Sequence, residues 1–219
     1  MLNKSLLFIS LASAQVALAQ TDTLRLPSAV RLSREREIAL ARSAAPASVA
    51  DSADIWVLGD RGYEKVITGT NGFACIVQRA LGGKSEIPRC DDPSGAASLI
   101  PVYQLIETMR NEGRTIGDAK KAIADGFKSG KLKQPRFGGF SYMYSVDGVF
   151  VAPDGTRIPF TPHVMIYWPD CNVKQLGMSS ARQMAGTALG FIDYGTPECT
   201  LIVNTPGTTA RHAEGVHKQ

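Results

Sequence analysis

The side chain best suited to chemistry at neutral pH is His163. It is the only histidine of the expected folded body, since His212 and His217 belong to the C-terminal tail. Alternate residues of a strand share a face. A strand over 163–168 therefore puts His163, Met165 and Tyr167 on one side and Val164, Ile166 and Trp168 on the other, the second set being expected in the core. A strand over 140–146 splits likewise, with Ser141, Met143 and Ser145 on its more polar face. If those faces meet, the imidazole takes a proton from Ser141 or Ser145, and Asp170 or Asp193 orients the ring. That is hydrolase chemistry on an ester, lactone or amide. The chain has no G-x-S-x-G elbow and no identifiable oxyanion donors. The plainer reading is a histidine that hydrogen-bonds a neighbour and fixes the edge of its strand.

Other constellations point to binding. Tyr142, Tyr144 and Tyr167 can line an aromatic ligand pocket, although strand aromatics commonly just pack a sheet. Lys120, Lys121, Lys128, Lys131 and Lys133, with Arg136, form a basic stretch interrupted only by Asp125. It suits an anionic surface, or simply the solvated C-terminal end of a helix. Asp91, Asp92 and Asp170 supply carboxylates for calcium, but their spacing fits no EF-hand, and Asp-Asp-Pro-Ser reads as a turn that caps a helix. No metal or cofactor is expected. Two function classes stand side by side: a small hydrolase with a histidine base, and a non-enzymatic envelope protein that binds a small ligand, an anionic surface or a partner protein.

The positioning elements are of mixed type. Ser33 caps a helix over 34–44, with Glu35 and Glu37 near its positive end. Strands are expected at 55–58, 63–68 and 73–78, the last two joined as a hairpin by Gly69-Thr70-Asn71-Gly72. Residues 82–97 read as loop. A helix over 100–112 starts on Pro101 and buries Val102, Leu105, Ile106 and Met109. Thr115 to Asp118 resembles a capping box, opening a second helix that Gly130 ends, so the two form a helical hairpin. Strands follow at 140–146, 149–152, 156–160, 163–168 and 200–203. Helices and strands are segregated, which predicts α+β with a mainly antiparallel sheet in a single domain over 33–204.

The N-terminus sets the compartment. Met1 to Lys4 is a short positive region, Leu6, Leu7, Phe8, Ile9 and Leu11 form an apolar run, and Ala17-Leu18-Ala19 gives the small residues a signal peptidase reads. Residues 1–19 are read as a cleavable signal peptide, 20–32 as a flexible tether and 205–219 as a disordered tail. No stretch reaches the roughly 20 apolar residues of a membrane-spanning helix. Cleavage delivers the protein to a periplasm or the exterior. The formal net charge of +4 falls by one with Lys4, which gives no reason to invoke nucleic acid.

In that oxidising space four cysteines form disulfides. Local pairing favours Cys75–Cys90 and Cys171–Cys199 over the two alternative connectivities, each bridge contributing roughly 3–4 kcal/mol. There is no C-x-x-C, so neither a zinc site nor a redox pair is expected.

Several runs together resemble a group of exported bacterial proteins of unknown function. They are Glu37 to Pro46, Gly69-Thr70-Asn71-Gly72-Phe73 with Cys75 and Val77, Pro88 to Asp92 around Cys90, Gly126-Phe127, and Pro162-His163 before Tyr167. The resemblance covers about residues 33–170. It implies an exported globular domain and brings no catalytic residues.

Overall fold

A computed structural model describes residues 22–152, 154–172, 189–192 and 196–205, the 189–192 strand by its backbone alone. Residues 1–19, read as a signal peptide, the segment beyond residue 205, read as a tail, and Asp193 lie outside the described residues. Ser33 accepts a hydrogen bond from Arg36 N and opens α1, Arg34–Arg42. A one-turn helix α2, Ala47–Ala50, follows. Strands β1 Asp54–Gly59, β2 Gly62–Ile67, β3 Ala74–Gln78 and β4 Ile87–Asp91 then lead into the long helix α3, Pro93–Asn111. Helix α4, Ile116–Lys128, begins on the expected capping box between Thr115 and Asp118. Strands β5 Phe140–Met143, β6 Val149–Val151, β7 Arg157–Pro159, β8 His163–Tyr167, β9 Leu189–Ile192 and β10 Thr200–Asn204 follow among the described residues.

Eight strands form one sheet in the order β2-β1-β3-β4-β5-β8-β10-β9, with β6 and β7 as a separate hairpin. All pairs are antiparallel except β1 with β3. The fold is α+β, a single domain, carrying the disulfides Cys75–Cys90 and Cys171–Cys199. The first bridge joins residues directly opposite each other on β3 and β4.

Both faces of the β1, β3 and β4 region are covered, which is why β3 reads as a continuous apolar run rather than an alternation. One face packs Ile55, Cys75, Val77 and Cys90 against Leu40 and Ala41 of α1. The other packs Ala74 and Ile76 against Leu99, Ile100, Val102, Tyr103 and Ile106 of α3. Helix α4 and the loop after it close over α3 with Ile123 and Leu132.

Three expectations are corrected. Asn71-Gly72 does not make a hairpin: β1 lies between β2 and β3, so this segment is a crossover. Asn71 instead donates to Val49 O and accepts from Phe73 N, and Gly69 N donates to Asp54. The 82–97 loop contains β4 and the start of α3, where Pro93 takes the first turn and Asp92 caps it by accepting from Gly95 N. β4 escapes pattern reading because all five residues are buried, its charges being matched internally. Residues 22–32 are no free tether: Leu26 is buried, Arg25 bridges Thr115, and Val30 N donates to Gly83 O.

Candidate functional site

The sheet register decides which side chains meet. In the β5–β8 pair, Ser141 faces Met165 and Met143 faces His163. Cross-strand partners share a face, so Ser141, Met143, His163, Met165 and Tyr167 all lie on the α3 side. That side is the buried one, with Val164 and Ile166 half-buried on the other, the reverse of the expected core assignment. Phe140, Tyr142 and Tyr144 fall on the α1 side, where Tyr142 contacts both neighbouring rings at 5.0 Å between centroids. Of the three tyrosines proposed for one pocket, Tyr167 is thus separated by the sheet from Tyr142 and Tyr144.

Beneath α3 the strands β4, β5, β8 and β10 line a cavity of about 330 Å³ that is open to one side. This is within the range of small-molecule sites, roughly 300–1,000 Å³. Its apolar wall includes Ile87, Leu99, Met143, Met165, Phe160 and Ile202. Its polar wall comes from distant parts of the chain: Arg89 on β4, Tyr103 on α3, His163 and Tyr167 on β8, Glu198 before β10, and Thr200.

At one end sits a buried ionic cluster. Arg89 donates to Asp91 Oδ1 from Nε at 2.9 Å and from Nη2 at 2.7 Å. Nη2 also donates to Ser141 Oγ at 2.7 Å, and Nη1 to Gln78 Oε1 at 3.3 Å. Tyr167 donates to Asp91 Oδ1 at 2.9 Å and stands 2.6 Å from Ser141 Oγ, which itself donates to Asp91. Burial opposes the charge on Arg89, but the Asp91 carboxylate beside it more than restores it. Arg89 and Asp91 lie two apart on one strand, so they share its face. Tyr167 also explains Gly95: a Cβ at that position would collide with the tyrosine hydroxyl.

The expected catalytic residues do not assemble. Ser141 is held within the Arg89–Asp91–Tyr167 cluster. Ser145 is buried elsewhere and hydrogen-bonds Ser43 Oγ at 2.7 Å. Asp170 is exposed beyond β8, within 3.4 Å of Gln134 Nε2. Among the described residues no hydrogen bond joins His163 to a serine or a carboxylate. The three aspartates suggested for calcium are also apart in role: Asp91 in the cluster, Asp92 as helix cap, Asp170 at the surface. Of the lysines, Lys120 pairs with Asp22 and Lys121 with Asp125, while Lys128, Lys131 and Lys133 are exposed.

His163 itself is 7% exposed and lines the cavity. Its Nδ1 lies 2.6 Å from Thr161 O. A carbonyl only accepts, so Nδ1 carries the proton and the neutral ring leaves a lone pair on Nε2. Burial holds its pKa below the ordinary histidine value, the Thr161 bond opposing and the Arg89 charge adding. The neutral ring is therefore the form the fold favours. Its contribution to stability is complete above the unfolded value, about 6.5, and drains away as pH falls through the lower folded value. Urea unfolding at pH 7.5 and pH 5 should show a smaller loss of stability in His163→Gln than in the wild type. An equal loss in both would refute this account of the ring.

Arg89, Tyr103, Glu198 and Thr200 escaped sequence reading as site residues. The opposite charges of Arg89 and Asp91 were a usable signal only if 87–91 had been recognised as a strand. Tyr103 lies within the apolar face of α3 and carries no signal of its own. No protein-family profile, curated protein or solved structure matches this chain.

Proposed function

We propose that the protein acts outside the cytoplasm as a binder of a small, largely apolar molecule, held in the cavity beneath α3. The observation that carries this reading is the cavity itself: it is apolar in most of its wall, with Tyr103 and His163 presenting polar atoms that have no partner among the described residues. Preformed apolar cavities with a few convergent polar groups are the usual form of small-molecule sites. Two disulfides suit an oxidising compartment, and no helix among the described residues is long and apolar enough to cross a membrane. The competing reading, hydrolysis driven by His163, has less support because Ser141 and Ser145 both hydrogen-bond elsewhere.

The neutral fluorophore N-phenyl-1-naphthylamine tests the proposal. Its emission should rise saturably on titration into the protein, with one molecule bound per chain. Ile202→Phe and Met165→Phe, which enlarge side chains on the cavity wall, should each weaken binding at least about tenfold, a change equivalent to about 1.4 kcal/mol. Circular dichroism establishes that the variants are folded. Absence of saturable binding, or folded variants that bind like the wild type, would remove the proposal.

A further inference from the structure

We infer that the cavity selects an uncharged amphiphile, an apolar chain ending in a head that both donates and accepts a hydrogen bond, such as an alcohol or a primary amide. This rests on the binding reading above and names the class of ligand. Among the described residues the cavity wall leaves an acceptor and a donor unused, beside the buried Thr200 hydroxyl, which also has no partner and can serve in either role. The acceptor is His163 Nε2, turned into that role because Thr161 O holds the proton on Nδ1. The donor is the Tyr103 hydroxyl, which has no partner among the described residues. Both side chains are more than nine-tenths buried. Burial also pushes the Tyr103 pKa well up, so the phenol keeps its proton.

Charge accounting argues against an ionic head. Arg89 is the cation of this wall, and its guanidinium is bonded to Asp91, Ser141 and Gln78. The ring of Tyr103 lies beneath it, 5.4 Å from Arg89 Cζ. Glu198 adds a carboxylate to the same wall. A carboxylate or phosphate head would leave water for a pocket whose one cation among the described residues is already neutralised by Asp91, and it would face Glu198 as well. An ammonium head, even with its charge offset by Glu198, would lose its water beside the Arg89 guanidinium and has no lone pair to accept from the Tyr103 hydroxyl. Burying an uncompensated charge costs far more than burying a hydroxyl that finds both its partners.

The apolar surface continues outward from the cavity. Phe150 of β6 lines it, and Ile158 of β7 is its direct cross-strand partner, so the two share a face. They remain 39% and 46% exposed. A chain with its head at Tyr103 and His163 has apolar protein to lie against both inside the cavity and along this hairpin.

Displacement of bound N-phenyl-1-naphthylamine at pH 8, where His163 is neutral, tests the inference with four ten-carbon chains: decanol, decanamide, decanoate and decylammonium. Decanol and decanamide should compete at concentrations at least about tenfold lower than either ion, the worth of one well-made hydrogen bond. Tyr103→Phe and, separately, His163→Leu should collapse that ratio. Equal competition by decanoate or decylammonium, or a ratio that survives both substitutions, overturns the inference while leaving the binding reading intact. Failure of the fluorophore to bind removes both.

Discussion

Asp91→Ala is expected to lower the unfolding free energy by about 3–5 kcal/mol, the usual loss when one partner of a buried ion pair is removed. Arg89 is only 4% exposed and Asp91 is wholly buried. Without the carboxylate, the guanidinium keeps its charge in a low-dielectric site with only Ser141 and Gln78 to accept from it. Tyr167 and Ser141 lose the carboxylate as their shared acceptor as well. The loss belongs mostly to the orphaned cation rather than to the pair's net worth, so Arg89→Met combined with Asp91→Leu should recover most of it. Urea unfolding of the oxidised protein, followed by circular dichroism, gives all three values. A single variant within about 1 kcal/mol of wild type would mean that the cluster behaves as a solvated surface pair. Because Arg89 and Tyr167 also line the cavity, the single variant should lose fluorophore binding before it loses its fold.

Arg79→Ala should produce a loss of similar size, about 3–5 kcal/mol, at the opposite face of the sheet. Arg79 is completely buried. It donates to Val30 O at 2.9 Å, to Val77 O at 2.5 Å and to Glu37 Oε2 at 2.7 Å. It thereby fastens the N-terminal segment and α1 to β3. Glu37 in turn accepts from Leu58 N at 3.0 Å. Burial raises the Glu37 pKa above the ordinary carboxylate value, with the Arg79 charge working against that rise. Stability from this group is therefore complete below the unfolded pKa, about 4.3, and is lost as pH rises through the higher folded value. Removing Arg79 deepens that loss by taking away the charge that favours ionised Glu37. The gap between variant and wild type should thus be wider at pH 8 than at pH 5. Denaturation midpoints at the two values check it, and a gap that widens toward low pH would contradict the assignment.

Local chemistry explains how much of the fold was legible. Ser33 and the Thr115–Asp118 box were readable because a cap needs only residues within one turn of each other. The disulfide pairs followed from sequence proximity. The face shared by His163, Met165 and Tyr167 followed from strand alternation. Alternation fixes which residues lie together but not which side is dry, and Val164 and Ile166 were assigned to the core on hydrophobicity alone. The hairpin expected at Asn71-Gly72 failed because β1 takes the place beside β3 in a parallel pairing, a choice made by packing between α1 and α3. β4 was read as loop because Pro88, Arg89 and Asp91 resemble surface residues until their partners are known.

The sequence by itself determined most of the elements outside 82–97, the caps at Ser33 and Thr115, the α+β class and the cysteine pairs, since each depends on contacts between near neighbours or on strand periodicity. Only the tertiary structure decided the site. Arg89, Tyr103, His163 and Glu198 come from four separate segments, and their properties arise once water is excluded around them. Burial then keeps His163 neutral, with Thr161 O setting its tautomer, keeps the proton on Tyr103 and commits Ser141 to Asp91, so the same residues that suggested a nucleophile and base form the wall of a cavity.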